Sequence, residues 1–367
     1  MKLLFFTPSN IHDLTSGGNK GSYSRYELLK QLADVKLFQL LKKSNFASAI
    51  SLIQNKYPPL RNSVIRDVIN IINNDKFDVV YVDTSCCGTL ISKIKNKFPK
   101  IPVIAHFQNC EYDYNSVRFC KKNSLKSKIY LNLVQREERL TLLYSDYSIS
   151  LSARDAQRIK KIYGYTTDIT IPLFVKDSFK NDGIAKKNNI GYCLLFGPDF
   201  YANVSGFRWF VKLVSPKISI KTIIAGKGME KYKSEFENYS KNVEVIGFVK
   251  DLSTLYQNAK CVCLPLLVGG GMKIKTIEAL MYGKTIFGTD EAFSGFNFDM
   301  NNVAINCNDA ESYIEQINTY CRENTELFNT KARKIYEQLY SDKVALEAYY
   351  SMLSVIQHKI ESIHNPK

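Results

Sequence analysis

The segment Gly269-Gly270-Gly271-Met272-Lys273-Ile274-Lys275-Thr276-Ile277-Glu278 packs three glycines, two lysines and a glutamate into ten residues. A glycine run lets the backbone come close to a ligand and present its N–H groups. The lysines and the glutamate then fall on the first turns of a predicted helix, whose N-terminus adds partial positive charge. Glycine amides, a helix N-terminus and the ammonium of Lys273 or Lys275 together suit a diphosphate. Glu278, further along the helix, suits hydrogen bonds from a vicinal diol. Met272 and Thr276 belong to the same candidate set. A ligand that carries both a diphosphate and a diol is a nucleotide.

Other residues could complete such a site. Ser16-Gly17-Gly18-Asn19-Lys20-Gly21-Ser22 follows the first apolar run and reads as a loop before a helix that starts at Ser22. It is neither a dinucleotide fingerprint nor a P-loop. Gly17 and Gly18 therefore mark either a tight turn or a second loop near the reaction centre. His106 ends a buried run, with Asn109, Glu111 and Tyr112 close behind. In open α/β sheets, ligand contacts gather at the carboxyl ends of strands. His106 reads either as a core histidine or as a group that orients an acceptor or handles a proton. Glu111 and Asp113 could hold a divalent ion, but glycine amides and lysines already serve the diphosphate, so no metal is expected. Asn203 reads as a helix N-cap or a donor contact, Lys227 as a further cation, and Asp251 as an N-cap. Phe248 and Val249, after an apolar run, offer backbone groups to a flat base.

These residues need a scaffold, and the rest of the sequence predicts one. The chain has 367 residues, enough for two domains with real interiors. Its 45% hydrophobic and 23% charged residues are ordinary for a globular protein. No apolar run reaches the roughly 20 residues of a membrane span, and Met1 to Pro8 lacks the features of a signal peptide. A cytoplasmic location is expected. Among nine cysteines there is no CxxC spacing, so buried free thiols are expected rather than a zinc site. Residues 1–177 hold 27 Lys/Arg against 15 Asp/Glu, and the remainder holds 23 against 20. The excess positive charge is densest at Arg118, Lys121, Lys122, Lys126, Lys128 and Arg136, interleaved with Phe119, Leu125, Ile129, Tyr130, Leu131 and Leu133. That pattern suits either a segment lying on an anionic membrane surface or a solvated basic helix.

Strand and helix patterns alternate throughout. Predicted strands cover 2–7, 35–41, 77–82, 102–107, 147–151 and 168–172, and then 192–196, 221–225, 243–246, 260–264, 285–288 and 303–306. Helices are predicted at 22–32, 64–72, 90–98 and 124–144, from Gly206, and over 312–360. Polar residues 176–189 read as a linker. This is α/β architecture, with two doubly wound parallel sheets.

Several stretches together resemble the group-1 glycosyltransferases with the GT-B fold. They are Gly247-Phe248-Val249 with Asp251-Leu252 and Leu255-Tyr256, the strand ending in Pro265-Leu266, and Gly269 through Leu280 with Tyr282-Gly283-Lys284. The stretch from Phe196 to Phe210, Ile223 through Gly228, His106 with Asn109 and Glu111, and Tyr144 to Tyr147 leading to Ser152 and Asp155 agree with this. The resemblance implies two Rossmann-like domains facing a central cleft. They would be an acceptor-binding domain over 1–176 and a donor-binding domain over 177–341, with residues 342–367 crossing back to the first. It implies sugar transfer from a nucleoside diphosphate donor of the UDP or GDP type, with retention, without a metal or other cofactor. The acceptor would be a lipid-linked or polysaccharide glycan; the inner face of a membrane is expected from the basic charge of the first half alone. Glu278 matches the second glutamate of the family's Glu-x7-Glu pattern, which holds the ribose. Gly270 stands where the first glutamate is expected. The Arg and Lys that many relatives place early in the second domain are missing from 197–206, so Lys273, with Lys275 or Lys227, must neutralise the leaving diphosphate, while Gly18 and His106 belong to the wall near the transferred sugar. A non-catalytic nucleotide-sugar-binding subunit is the alternative. A nicotinamide-dependent dehydrogenase lacks its glycine fingerprint here, and no nucleic-acid-binding signature is present.

Overall fold

The computed structural model describes every residue except 15, 41–56, 59, 120–123, 181–190 and 365–367, without side chains for 117, 118, 363 and 364. Most of the predicted linker, Lys121, Lys122 and the side chain of Arg118 therefore lie outside the described residues. The chain divides into two compact units, one of Met1–Pro172 with Ala345–Lys367, the other of Leu173–Val344.

In the first unit the strands are β1 (Lys2–Thr7), β2 (Asp34–Gln39), β3 (Val79–Val82), β4 (Val103–Phe107), β5 (Tyr147–Ser150) and β6 (Ile169–Thr170), all parallel, in the order β2-β1-β3-β4-β5-β6. Runs such as Leu3-Leu4-Phe5-Phe6 and Val79-Val80-Tyr81-Val82 have no exposed surface, because a parallel sheet is covered on both faces. The chain leaves β1 in one direction to β2 and returns to β3 on the other side. That reversal is where such sheets open a crevice.

Two adjacent glutamates organise the helices around this sheet. Glu137 and Glu138 lie on the helix Leu125–Tyr144, and both are buried. Glu137 accepts from Thr89 N (2.7 Å) and Thr89 Oγ1 (2.6 Å) at the start of the helix Gly88–Lys97. Glu138 accepts from Glu111 N (2.8 Å) and Tyr112 N (2.9 Å) at the start of the helix Glu111–Phe119, and from Tyr163 Oη (2.7 Å). Each carboxylate thus satisfies amides that have no partner within their own helix. At Gly88 a side chain would overlap the backbone of Glu137, so glycine permits the close crossing. Burial pushes the Glu138 carboxyl up to about 7, against the hydrogen bonds from Tyr163 and the helix amides.

In the second unit the strands are β7 (Cys193–Phe196), β8 (Thr222–Ala225), β9 (Val243–Gly247), β10 (Cys261–Leu264), β11 (Thr285–Gly288) and β12 (Ala304–Asn306), in the order β12-β11-β10-β7-β8-β9. The reversal lies between β7 and β10. Phe207, Phe210, Phe236, Phe287 and Tyr313 fill the core on one face. The helix Asp342–His364 begins in the second unit, and from Ala345 onwards its residues belong to the first.

Several expectations change. Gly17 to Ser22 is not a loop but the start of the helix Gly17–Leu29, because Ser16 caps it by accepting from Asn19 N at 3.2 Å. Asn203 is not an N-cap; it lies inside the helix Tyr201–Leu213, which begins after Phe200. Asp251 precedes the helix Ser253–Asn258 by two positions and accepts from Ser253 N in an Asx-type turn. The predicted C-terminal helix is three segments, Ala310–Glu323, Thr330–Ile335 continuing as a π turn over Tyr336–Tyr340, and Asp342–His364. On the helix Leu125–Tyr144 the apolar side packs inward: Leu133 and Val134 are buried and Tyr130 meets Phe119 at 5.7 Å. Ile129 and Leu131 are half-buried. Lys126 and Lys128 are exposed, as are Arg136, which reaches Glu137, and Leu125.

Candidate functional site

In the second unit, the loops leaving β7 and β10 meet at the reversal. The helix after β7 lies so close to β10 that a side chain at Gly206 would overlap the carbonyl of Pro265. Lys275 Nζ donates to Asn203 Oδ1 at 2.8 Å, and Asn203 Nδ2 donates to Pro198 O at 2.9 Å. These bonds hold together the starts of the helices Tyr201–Leu213 and Ile274–Met281. The ends of β7, β8 and β9 are laced by backbone bonds, Gly197 N to Ala225 O, Asp199 N to Lys227 O and Gly226 N to Gly247 O.

The loop after β10 carries the residues singled out from sequence. Gly271 has φ 65°, the left-handed conformation that glycine adopts without strain. Lys273 occupies the N-cap position of the helix Ile274–Met281, and Met272 before it is buried. Its ammonium donates to Gly271 O (2.6 Å) and forms an ion pair with Glu291 (2.6 Å). Glu291 lies eighteen positions downstream of Lys273, after β11, and its carboxylate would meet any side chain at Gly269. Sequence reasoning missed it, since an acid in a following loop has no spacing relation to a glycine run. Thr276 is buried and its hydroxyl donates to Ala292 O (2.9 Å), which ties the helix to that same loop. Glu278 is 8% exposed and accepts from Tyr256 Oη at 3.3 Å, and Tyr256 stacks on Tyr282 at 4.8 Å. The helix thus presents an ammonium at its start and a carboxylate one turn in.

Lys227, Phe248 and Val249 sit at the neighbouring strand ends. Lys227 is exposed and Phe248 is 61% exposed, an open aromatic face beside β9. Gly247 has φ 80°, and Glu230, whose Oε2 accepts from Gly228 N at 3.1 Å, backs that turn.

The first unit gathers a different set at its own reversal. Arg25 Nε and Asp83 Oδ1 form an ion pair of 2.7 Å with 2% and 0% side-chain exposure. Asp83 Oδ2 also accepts from Thr7 Oγ1 (3.0 Å) and from Gln108 Nε2 (3.2 Å), and Asp83 O accepts from the same amide (2.9 Å). Gln108 Nε2 reaches Ser22 Oγ at 3.1 Å as well, and Ser22 bonds Ser9 at 2.9 Å. Facing a carboxylate and a carbonyl, the Gln108 amide must turn its NH2 inward and its Oε1 outward, toward exposed Gly18 at the start of the first helix. Asn109 Nδ2 donates to Glu111 Oε1 (3.3 Å), and Glu111 also accepts from Asn115 (3.1 Å). Gly17, Gly18, Gln108, Asn109 and Glu111 thus share one end of the sheet. Gln108 escaped the sequence reading because nothing local reveals Asp83 and Arg25 behind it.

His106 is the correction. It is 0% exposed, with Nδ1 2.7 Å from Tyr81 Oη and 3.5 Å from Tyr349 Oη of the last helix. Burial, and then the charge of Arg25, hold its pKa well below the usual histidine range. It is a neutral imidazole in the packing between sheet and last helix, without a ligand-facing surface. Asp113 pairs with Arg158, so the Glu111/Asp113 pair does not converge on a cation. Lys284 is buried against the carbonyls of Gln257, Ala259 and Leu327, a clamp between segments.

Residues 191–323 match the family described as Glycosyl transferases group 1. No curated protein matches the chain in sequence. Among solved structures, Anabaena HepE in complex with UDP and glucose superposes with a TM-score of 0.64 at 15% identity, covering 97% of this chain and 100% of that one. A glycosyltransferase from Rickettsia africae gives 0.66 at 14% identity, covering 97% and 98%. The lipopolysaccharide outer core galactosyltransferase WaaB, in its apo form, gives 0.63 at 12% identity, covering 97% and 99%. No helix among the described residues is long and apolar enough to cross a membrane.

Proposed function

We propose that this chain, of GT-B fold and with a second unit belonging to the group 1 glycosyltransferases, transfers a sugar from a nucleoside diphosphate donor, UDP or GDP, to a glycan acceptor. The observation that carries this reading is one helix start holding the Gly269–Gly271 loop, Lys273 and Glu278 where β7 and β10 diverge. The loop amides and helix N-terminus receive the diphosphate, and Lys273 leaves or shares Glu291 to meet the new charge. Charge that builds on the departing diphosphate is then met by groups already in place. Glu278, held by Tyr256, accepts from the ribose hydroxyls. Phe248 and the backbone of Val249 meet the base, and Lys227 and Lys275 add positive charge.

Transfer is proposed to retain anomeric configuration and to need no metal, since amides and ammonium groups do the work a cation would do. Gly270 offers no carboxylate to the sugar. Glu291, beside Gly269, is the acid within reach of that loop and is proposed to replace it. On the acceptor side, Gln108 Oε1 with Asn109 and Glu111 forms a wall of hydrogen-bond acceptors suited to hydroxyl groups. The acceptor is proposed to be a lipid-linked or polysaccharide glycan of the cell surface, met at the inner face of an anionic membrane. Exposed Lys126 and Lys128 and the basic first half of the sequence support that surface. Flotation with anionic and neutral liposomes tests it, and failure to bind either at low salt ends it.

A second reading, a nucleotide-sugar-binding subunit without turnover, draws on the Lys273–Glu291 pair, which already neutralises the cation. Calorimetry with UDP and GDP followed by donor turnover separates the two. Binding with turnover lost in Lys273→Ala and Glu278→Ala supports the transferase. Binding without turnover supports the subunit. Absence of binding at millimolar nucleotide removes both.

A further inference from the structure

Three thiols converge inside the second unit. Cys193 lies on β7, Cys261 and Cys263 lie on neighbouring β10, and none has exposed surface. Cys193 and Cys261 are register partners, and Cys263, two residues on, shares the face of Cys261. All three Sγ atoms lie within 4.8 Å of one another, with Cys193 Sγ 3.0 Å from Cys263 Sγ. Core cysteines usually stand apart as small apolar fillers. Here a polar neighbour stands unsatisfied beside them. Tyr313 is 0% exposed, its hydroxyl has no hydrogen-bond partner among the described residues, and Cys263, Cys307 and Cys193 are its electrostatic neighbours. A thiol is a weak acceptor and a metal-bound thiolate a better one, so a loaded site would give that hydroxyl a partner.

We propose that Cys193, Cys261 and Cys263 form a three-thiolate site for a soft monovalent cation, copper(I). Sulfur ligands alone select soft metals. A structural zinc site asks for four ligands, and only these three thiols cluster among the described residues. With metal–sulfur bonds of about 2.3 Å, sulfurs of a planar three-coordinate site stand ~4 Å apart. The close pair, 3.0 Å apart, has to open by about 1 Å. On loading, three S–H protons pass to solvent and three Cu–S bonds form, without oxidant or reductant. The loaded cluster carries two negative charges. Lys260 and Lys284 lie near Cys261, with their ammonium groups otherwise turned to backbone carbonyls, and balance them. C-x-C spacing on β10 does not reveal the site, because the third sulfur comes from a strand 68 positions earlier in the chain. The site is independent of the nucleotide reading.

Sealed sulfurs take up the ion as the unit folds, so the full-length chain is to be produced with copper and purified without oxygen. The expected result is one copper per chain, near-ultraviolet copper–thiolate absorption and three sulfur neighbours in the X-ray absorption spectrum. Cys193→Ala with Cys263→Ala should lose that copper, and Cys86→Ala with Cys87→Ala should keep it. If the first variant does not fold, Cys263→Ser still has to lower the sulfur count from three. Copper equal in the wild type and the first variant, nitrogen or oxygen neighbours, or a metal-free chain two mass units lighter with Cys193 linked to Cys263 would each overturn the proposal.

Discussion

The two sheets reverse direction in different ways, and each reversal is furnished differently. Between β1 and β3 the first unit carries its own counter-charges: Arg25 meets Asp83, Thr7 and Gln108 complete the shell, and an uncharged amide oxygen faces outward. Between β7 and β10 the second unit carries glycines, a helix start and an ammonium held by Glu291 and the loop carbonyl of Gly271. A crevice whose charges are already matched offers hydrogen bonds to neutral groups. One whose cation stands at a helix start beside a glycine loop is, on the proposed function, the one that offers charge to an anion. One architecture thus supplies two kinds of recognition, set by where the ion pair closes.

The largest test removes the closed pair. Asp83→Ala leaves buried Arg25 without its counter-ion and is expected to lower the stability of the first unit by about 3–5 kcal/mol in urea unfolding. Arg25→Met combined with Asp83→Leu should cost far less, and equal losses would mean the charges are not the reason. Next, Gly206→Ala forces a methyl against Pro265 O and is expected to cost about 1–3 kcal/mol while weakening nucleotide binding, because Asn203 and Lys275 shift apart. A variant that melts and binds like the parent would remove the claim that this crossing aligns the site.

The Lys273–Glu291 pair predicts effects of opposite sign. Lys273→Ala should weaken UDP or GDP binding about tenfold, in line with one charge-assisted hydrogen bond of ~1.5 kcal/mol. Glu291→Gln, which removes the ammonium's carboxylate partner, should tighten nucleotide binding a few-fold in calorimetry while slowing transfer. Loss of nucleotide affinity in both would show that the pair is structural. The smallest effect concerns pH. Glu138 has a carboxyl raised from 4.5 to about 7 in the folded unit, so the native state holds its proton more firmly than the unfolded chain does. Its contribution to stability is full below pH 4.5 and is lost as pH rises through about 7. Unfolding of Glu138→Gln should show a smaller loss of first-unit stability between pH 5 and 8 than the parent; identical losses would contradict the assignment.

Much of this was legible in the residues. Apolar runs such as Lys2–Thr7 and Thr285–Gly288 are strands over the whole predicted range, because buried parallel strands admit little else. The glycine loop before Ile274 was legible for a similar reason, since three glycines before an amphipathic segment have few structural explanations. What escaped was local context overruled by a cap or by a distant partner. Ser16 turned an apparent glycine loop into a helix. His106 looked available until Tyr81 and Tyr349, 243 positions apart from it at the far end, closed over its ring. Gln108 and Glu291 acquired meaning only from Asp83 and Lys273, which the fold and not the spacing brings to them.

The neighbouring carboxylates of Glu137 and Glu138 work like two teeth on one key. Successive residues of an α-helix point about 100° apart, so each tooth enters a different helix start only at one rotation of Leu125–Tyr144. Deleting a single residue between Leu125 and Arg136 would swing both away together and uncover two helix ends at once. Variation in length is therefore not expected between Leu125 and Arg136.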